Sequence, residues 1–203
     1  DVFVMPADGG EIVRLTEHSS DDLPFAFSRD GALVFFASAR LGGTNTVLAG
    51  TYHSSDQLYT VPATGGRTRR VLDTPALEVS VSPDGKRLLY ENRPVYENEW
   101  RKGAVSAGTR DIWLYDTETS THRRLTTWRG EDRNARWTPD GSGYYYLSET
   151  SGTFNVWRQA LAGGKPEQLT AHTGQPVRFL SVADDGTLVY GFEGSIWRLP
   201  PEG

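Results

Sequence analysis

Apolar and polar side chains alternate over short stretches of this chain, and each stretch closes in turn chemistry. Leu77, Val79 and Val81 alternate with Glu78, Ser80 and Ser82, the period-two pattern of a half-buried strand. Comparable runs predict strands over residues 2–5, 24–27, 32–38, 57–61, 69–72, 87–91, 111–115, 122–126, 177–182, 187–192 and 195–199, and four more such runs fill residues 134–170. No window of a dozen residues sustains a helical period, because Gly, Pro and Asp-Gly punctuation arrives too often.

The runs recur in a fixed order. The turn Ser82-Pro83-Asp84-Gly85 returns as Ser28-Arg29-Asp30-Gly31, Thr138-Pro139-Asp140-Gly141 and Ala183-Asp184-Asp185-Gly186. After one further strand comes an aliphatic-aromatic pair: Leu58-Tyr59, Ile112-Trp113, Val156-Trp157 and Ile196-Trp197, with Val2-Phe3 as a copy that has no turn before it. A double glycine follows at Gly9-Gly10, Gly65-Gly66 and Gly163-Gly164, although Thr119-Ser120 replaces it once. A Leu-Thr step then closes the unit at Leu15-Thr16, Leu125-Thr126 and Leu169-Thr170, with Val71-Leu72 as the looser copy. Self-similarity at this period is the mark of a repeat architecture.

Four strands per unit, evenly spaced and carrying repeated aromatics, predict an all-β fold built as a β-propeller of four-stranded antiparallel blades. A β-sandwich would not explain the repeated order of markers, and a solenoid would need a shorter repeat. The units divide as a partial blade at 1–16, full blades at 24–73, 76–126 and 134–170, and a partial blade at 177–199. About four to four and a half blades are therefore expected, as an excerpt from a larger, six-bladed ring. A four-stranded sheet cannot bury its faces alone, so Tyr59, Trp113, Trp157 and Trp197 are expected to be core rings packed on the neighbouring blade. The aspartates of the Asp-Gly turns (Asp30, Asp84, Asp140 and Asp185) are expected to bond nearby backbone.

Composition narrows the function classes. The formal charge of −5 over 203 residues is spread along the sequence without a basic run, which disfavours nucleic acid as a partner. Cysteine is absent, so neither a disulfide frame nor a thiolate metal site is expected. No apolar run approaches the roughly 20 residues of a membrane-spanning helix. Asp1 falls in the middle of a repeat unit, so the natural start of the polypeptide is expected further upstream.

Catalytic constellations are not legible. Ala104-Val105-Ser106-Ala107-Gly108 is the nearest string to a nucleophile elbow, and it lacks the strand-turn-helix context. His18, His53, His122 and His172 fall in no zinc spacing. His18 and His172 sit at matched places after a Leu-Thr step, which points to a structural role. The glycine pairs lack the Lys-Ser or Lys-Thr and the helix of a phosphate loop. No catalytic residue, metal or cofactor is therefore expected within the chain.

Binding candidates lie in two places. Asp21-Asp22 and Glu131-Asp132 each precede a first strand, the strand that lines a propeller's channel. A solvated channel rim is the plain expectation there, and ligand binding by Asp22, Glu131 and Asp132 the sharper one. The insertion at 92–109 carries Tyr96, Glu97, Glu99, Trp100, Arg101 and Lys102. Long loops on a rigid scaffold are where binding is usually found, and aromatic and Arg residues are the usual anchors. The competing expectation is that Trp100 only covers a blade edge.

The units resemble the repeats of TolB-type propellers, with their Ser-Pro-Asp-Gly turns and Asp-Ile-Trp third strands. The runs YENEWRKGAVSAGTRDIWLYD (96–116), GEDRNARWTPDG (130–141), SGTFNVW (151–157) and PVRFLSVADDGTLVYG (176–191) are, in addition, similar to the N-terminal propeller of tricorn proteases. That resemblance implies a large serine peptidase that trims oligopeptides, with two propellers, a PDZ-like domain and catalytic domains in one polypeptide. It further implies a hexameric assembly, a cytoplasmic setting, and propellers that guide peptide access and dock other domains. None of the family's catalytic positions has a counterpart in these residues. The alternative is a TolB-like interaction propeller without a peptidase, for which a periplasmic or secreted setting is open.

Overall fold

The computed structural model describes residues 1–40, 56–92 and 109–201, and these contain strands and turns with no helix. A leading half-blade pairs β1 (Phe3–Val4) with β2 (Val13–Arg14). The first blade is β3 (Asp22–Phe27), β4 (Leu33–Ser38), β5 (Gln57–Pro62) and β6 (Arg69–Pro75). The second is β7 (Leu77–Val81), β8 (Arg87–Glu91), β9 (Ile112–Asp116) and β10 (Thr121–Arg124). The third is β11 (Asp132–Trp137), β12 (Gly143–Ser148), β13 (Asn155–Ala160) and β14 (Glu167–Gln168). A fourth holds β15 (Arg178–Val182), β16 (Leu188–Phe192) and β17 (Ser195–Leu199). Every sheet is an antiparallel meander in chain order, and the first strands of successive blades adjoin, β3 with β7, β7 with β11 and β11 with β15. This is the propeller arrangement that the repeat predicted.

Two of the repeated markers act as locks. The turn aspartates accept from backbone two residues on: Ala32 N to Asp30 at 3.1 Å, Lys86 N to Asp84 at 3.1 Å, Ser142 N to Asp140 at 3.0 Å and Thr187 N to Asp185 at 2.8 Å. Side-chain and backbone donors hold these carboxyls below their ordinary range, Asp140 at about 2 through Thr138 and Ser142. The threonine of each Leu-Thr step accepts from the amide that opens the third strand. Val2 N reaches Thr16 Oγ1 at 2.7 Å, Ile112 N reaches Thr126 at 3.0 Å and Val156 N reaches Thr170 at 2.8 Å. A buried amide that would lack a ladder partner is thus satisfied by a side chain.

The core is a series of interblade seams. Val34 and Phe36 of β4 pack toward the leading half-blade with Val2 and Leu15, whereas Phe35 between them packs toward the second blade with Val79 and Leu88. β12 repeats this: Tyr144 and Tyr146 meet Leu89 and Ile112, and Tyr145 and Leu147 meet Leu180 and Leu188. Second strands are buried on both faces, so they read as unbroken apolar runs. Each fully buried large apolar side chain contributes about 1.5–3 kcal/mol.

The third-strand pairs depart from expectation. The aliphatic member is the fully buried one, with Leu58, Ile112 and Val156 all at 0% exposure, while Ile196 is 85% exposed. Of the aromatics only Tyr59 is fully buried; Trp113 and Trp157 are half-buried, and Trp197 is 44% exposed. Tyr59, Trp113 and Trp157 lean back on the preceding blade, and the two tryptophans keep an edge in solvent. Ile196 occupies the slot that a following blade covers in the other three, and Phe179 beside it is also exposed.

Candidate functional site

Asp22 and Asp132 are repeat equivalents. Each opens a first strand and faces the serine that ends the second strand, Asp22 opposite Ser38 and Asp132 opposite Ser148. Both are buried, as is Glu131, so the expected solvated rim does not form at these residues. The sheet register places them under the preceding blade's closing threonine, Thr16 or Thr126, which removes them from water.

Their electrostatics differ. Burial pushes Asp22 up, but hydrogen bonds from Thr16, Arg40 and Ser38 and the Arg40 charge outweigh it and hold the carboxyl below its usual range. Arg40 Nη2 reaches both Asp22 oxygens, at 2.7 and 2.8 Å. Asp132 receives the matching hydroxyls of Ser148 and Thr126, yet burial dominates, Asp111 and Glu149 add like charge, and the carboxyl rises to about 7. Among the described residues its Oδ1 is buried without a hydrogen-bond partner.

A second cluster lies where the first strands converge. β7, β11 and β15 bulge at an equivalent place, and the bulge residues Glu78, Asn134 and Phe179 take left-handed φ of 50, 56 and 56°. Asn134 links three blades: its amide donates to Glu91 at 2.6 Å, its Nδ2 to Glu78 at 3.0 Å, and its Oδ1 accepts from Leu180 N at 2.7 Å. Around it Arg110 lies 3.2 Å from Glu91 and 3.6 Å from Glu131, Arg133 3.7 Å from Glu131, and Arg136 3.1 Å from Glu78. Burial raises Glu91 despite the facing Arg110 guanidinium. A cavity of about 90 Å³ remains among Glu78, Glu91, Arg110, Arg133, Asn134 and Arg178. Sequence reasoning named only Glu131 of this network. The signal available was the density of charge on the first strands, at Glu78, Arg133 and Arg136.

The insertion candidates Tyr96, Glu97, Glu99, Trp100 and Arg101 lie outside the described residues. His172 donates its amide to Asn155 Oδ1 at 2.8 Å and places Nε2 3.1 Å from the Tyr190 hydroxyl, while the His18 amide donates to Asp1 at 3.1 Å. These are structural contacts. Among the described residues no group of three or more His, Asp or Glu is placed to hold a metal ion, and no helix is long and apolar enough to cross a membrane.

Four-stranded blades around converging first strands, with charges buried at their junctions, define the β-propeller class of fold. The chain belongs to the family of tricorn protease N-terminal beta propeller domains, whose model matches residues 1–203. It is 26% identical over 147 residues to the Tol-Pal system protein TolB of Wolinella succinogenes, covering 71% of this chain and 32% of that one. Dipeptidyl-peptidase 5 of Porphyromonas gingivalis is 26% identical over 157 residues, 72% of this chain and 20% of the relative. The chain thus spans a third or less of these curated relatives. Among solved structures, TolB from Acinetobacter baumannii superimposes with a TM-score of 0.72 at 20% identity, over 98% of this chain and 46% of that one. A crystal structure of the tricorn protease gives 0.52 at 14% identity, over 95% and 23%.

Proposed function

We propose that this chain is the non-catalytic propeller portion of a tricorn-like serine peptidase, guiding oligopeptides toward catalytic domains elsewhere in the polypeptide and docking those domains. The observation that carries the reading is the match of the tricorn N-terminal propeller model along residues 1–203. One structural feature agrees with it. The charge network at the converging first strands offers both signs to the termini and side chains of a peptide. Hexameric assembly and a cytoplasmic setting belong to the same proposal.

The test compares hydrolysis of short peptides by the full-length gene product and by residues 1–203 alone. Turnover by the full product only supports the proposal, and turnover by residues 1–203 refutes it. Turnover by neither favours a second reading, suggested by the TolB relative: an interaction propeller without a peptidase, for which the periplasm is the setting to test by fractionation.

A further inference from the structure

Sheet register aligns the first and third blades residue by residue. Asp22 faces Ser38 and Phe36 faces Tyr59; Asp132 faces Ser148 and Tyr146 faces Trp157. In the first blade, Arg40 follows Ser38 by two positions and folds back into this frame. Its Nη2 grips both oxygens of Asp22, Nη1 donates to Thr68 Oγ1 at 3.1 Å and Nε to Ser38 Oγ at 3.3 Å. Its guanidinium carbon lies 4.9 Å from the Phe36 ring centre and 5.4 Å from that of Tyr59. The result is a guanidinium clamped by a carboxylate and two rings.

In the third blade, Thr150 follows Ser148 by two positions, and no arginine folds back among the described residues. Its hydroxyl bonds Ser148 Oγ at 2.7 Å instead. The acid and both rings remain. Asp132 is 2% exposed with Oδ1 unpartnered, and a cavity of about 500 Å³ opens against Asp132, Tyr146, Thr150 and Trp157. The other blades differ again. Ala76 and Val177 precede their first strands where the aspartates stand, and an imidazole meets the corresponding tyrosine, His122 Nδ1 at 2.9 Å from the Tyr90 hydroxyl and His172 at 3.1 Å from that of Tyr190. The third blade alone keeps the acid of the first without its base.

We propose that the groove beside Asp132 is a socket for an arginine side chain of a peptide ligand, seated against Tyr146 and Trp157 as Arg40 is seated against Phe36 and Tyr59 in the first blade. The guanidinium chemistry follows from the intramolecular template, whereas the peptide origin of the arginine rests on the function proposed above. Lysine fits less well, because an ammonium lacks the planar fork that spans a carboxylate and stacks on rings. The outer wall carries Arg123 and Arg124. Arg124 is held by Asp111 at 2.7 Å and by the Thr126 carbonyl at 2.8 Å, and Arg123 reaches toward the Leu161 carbonyl at 3.5 Å. These charges at the mouth disfavour a second basic residue and select a single arginine flanked by neutral or acidic neighbours.

The test titrates the protein with acetyl-Gly-Arg-Gly-amide and with its citrulline counterpart, which keeps the shape and removes the charge. The arginine peptide is expected to bind at least about tenfold more tightly, the difference a charge-assisted pair to a buried carboxylate supplies. Asp132→Asn should erase the preference for the charged peptide, and Thr150→Arg, which rebuilds the first blade's clamp from within, should abolish binding and raise Tm, a result that reports even if Asp132→Asn fails to fold. Equal binding of the two peptides, or undiminished binding to Thr150→Arg, overturns the proposal. Binding of methylguanidinium but not of the peptide overturns its peptide origin, and with it a peptide role for this face. Failure of every probe overturns the socket while leaving the hydrolysis comparison to judge the peptidase assignment.

Discussion

Removing Arg40 should cost stability in a way that grows with pH. Arg40→Ala takes from the Asp22 carboxyl the guanidinium that reaches its two oxygens at 2.7 and 2.8 Å, leaving the hydroxyls of Thr16 and Ser38 against the burial that pushes it up. Removing one partner of a buried pair costs about 3–5 kcal/mol. The sign follows from which state holds the proton. In the native protein Asp22 lies below its ordinary value, so its stabilisation is present above 3.8 and is lost only as pH falls through the folded value. In the variant the carboxyl shifts upward, so stability is least affected in acid and drains away as pH climbs above 3.8. The expected loss is about 3–5 kcal/mol at pH 8 and smaller at pH 5, where the variant's carboxyl can keep its proton. Urea unfolding followed by tryptophan fluorescence, with the native protein run at each pH, isolates the difference because Asp132 contributes equally to both. A loss that is the same at pH 5 and pH 8, or larger in acid, would refute the reasoning.

Three further outcomes are expected. Thr126→Val keeps shape but strips the acceptor from the Ile112 amide, so chemical denaturation should show a loss of about 1–3 kcal/mol, with Thr16→Val and Thr170→Val alike. Ile112→Ala should cost about 2–5 kcal/mol, whereas Ile196→Ser at the equivalent exposed site should change the unfolding midpoint by no more than about 0.5 kcal/mol and reduce self-association seen by light scattering. Asn134→Ala gives up the bonds to Glu78 and Leu180 and keeps a left-handed φ that alanine resists. It should lose about 2–4 kcal/mol in a melt, and Asn134→Gly less, because glycine relieves the backbone part.

The propeller was legible because its markers are local. A turn aspartate bonds backbone two residues away, and the Leu-Thr step closes on an amide 14 residues back, so each leaves a fixed word in the sequence. The tryptophans misled on burial because blade membership says which neighbour a ring leans on but not how near the groove mouth it lies. Asp22, Glu131 and Asp132 stood out as paired carboxylates, yet their burial depends on the preceding blade's threonine, which linear reading leaves in another unit. The first-strand network was missed for a different reason. Bulges with left-handed Glu78 and Asn134 break the alternation, and a period-two reading passes over both. Residues 92–109 could be singled out only as an insertion, and the site they were expected to form lies outside the described residues.

Packing alone gives no reason for an aspartate at position 132. Its counterparts Ala76 and Val177 are fully buried and apolar, and they fill the same slot without a charge to desolvate. A carboxyl lifted to about 7 costs roughly 4 kcal/mol near neutral pH relative to one in water. Where the slot does hold an aspartate in the first blade, Arg40 offsets that cost within the chain. In the third blade the offset is missing while the rings and the open groove that would receive it are in place. A binding site is built in the same way: a polar group held ready in a dry pocket at some expense of stability, with the balance restored when the ligand arrives. The difference between Arg40 and Thr150 therefore separates a blade that is complete in itself from one that is complete only with a cation from outside.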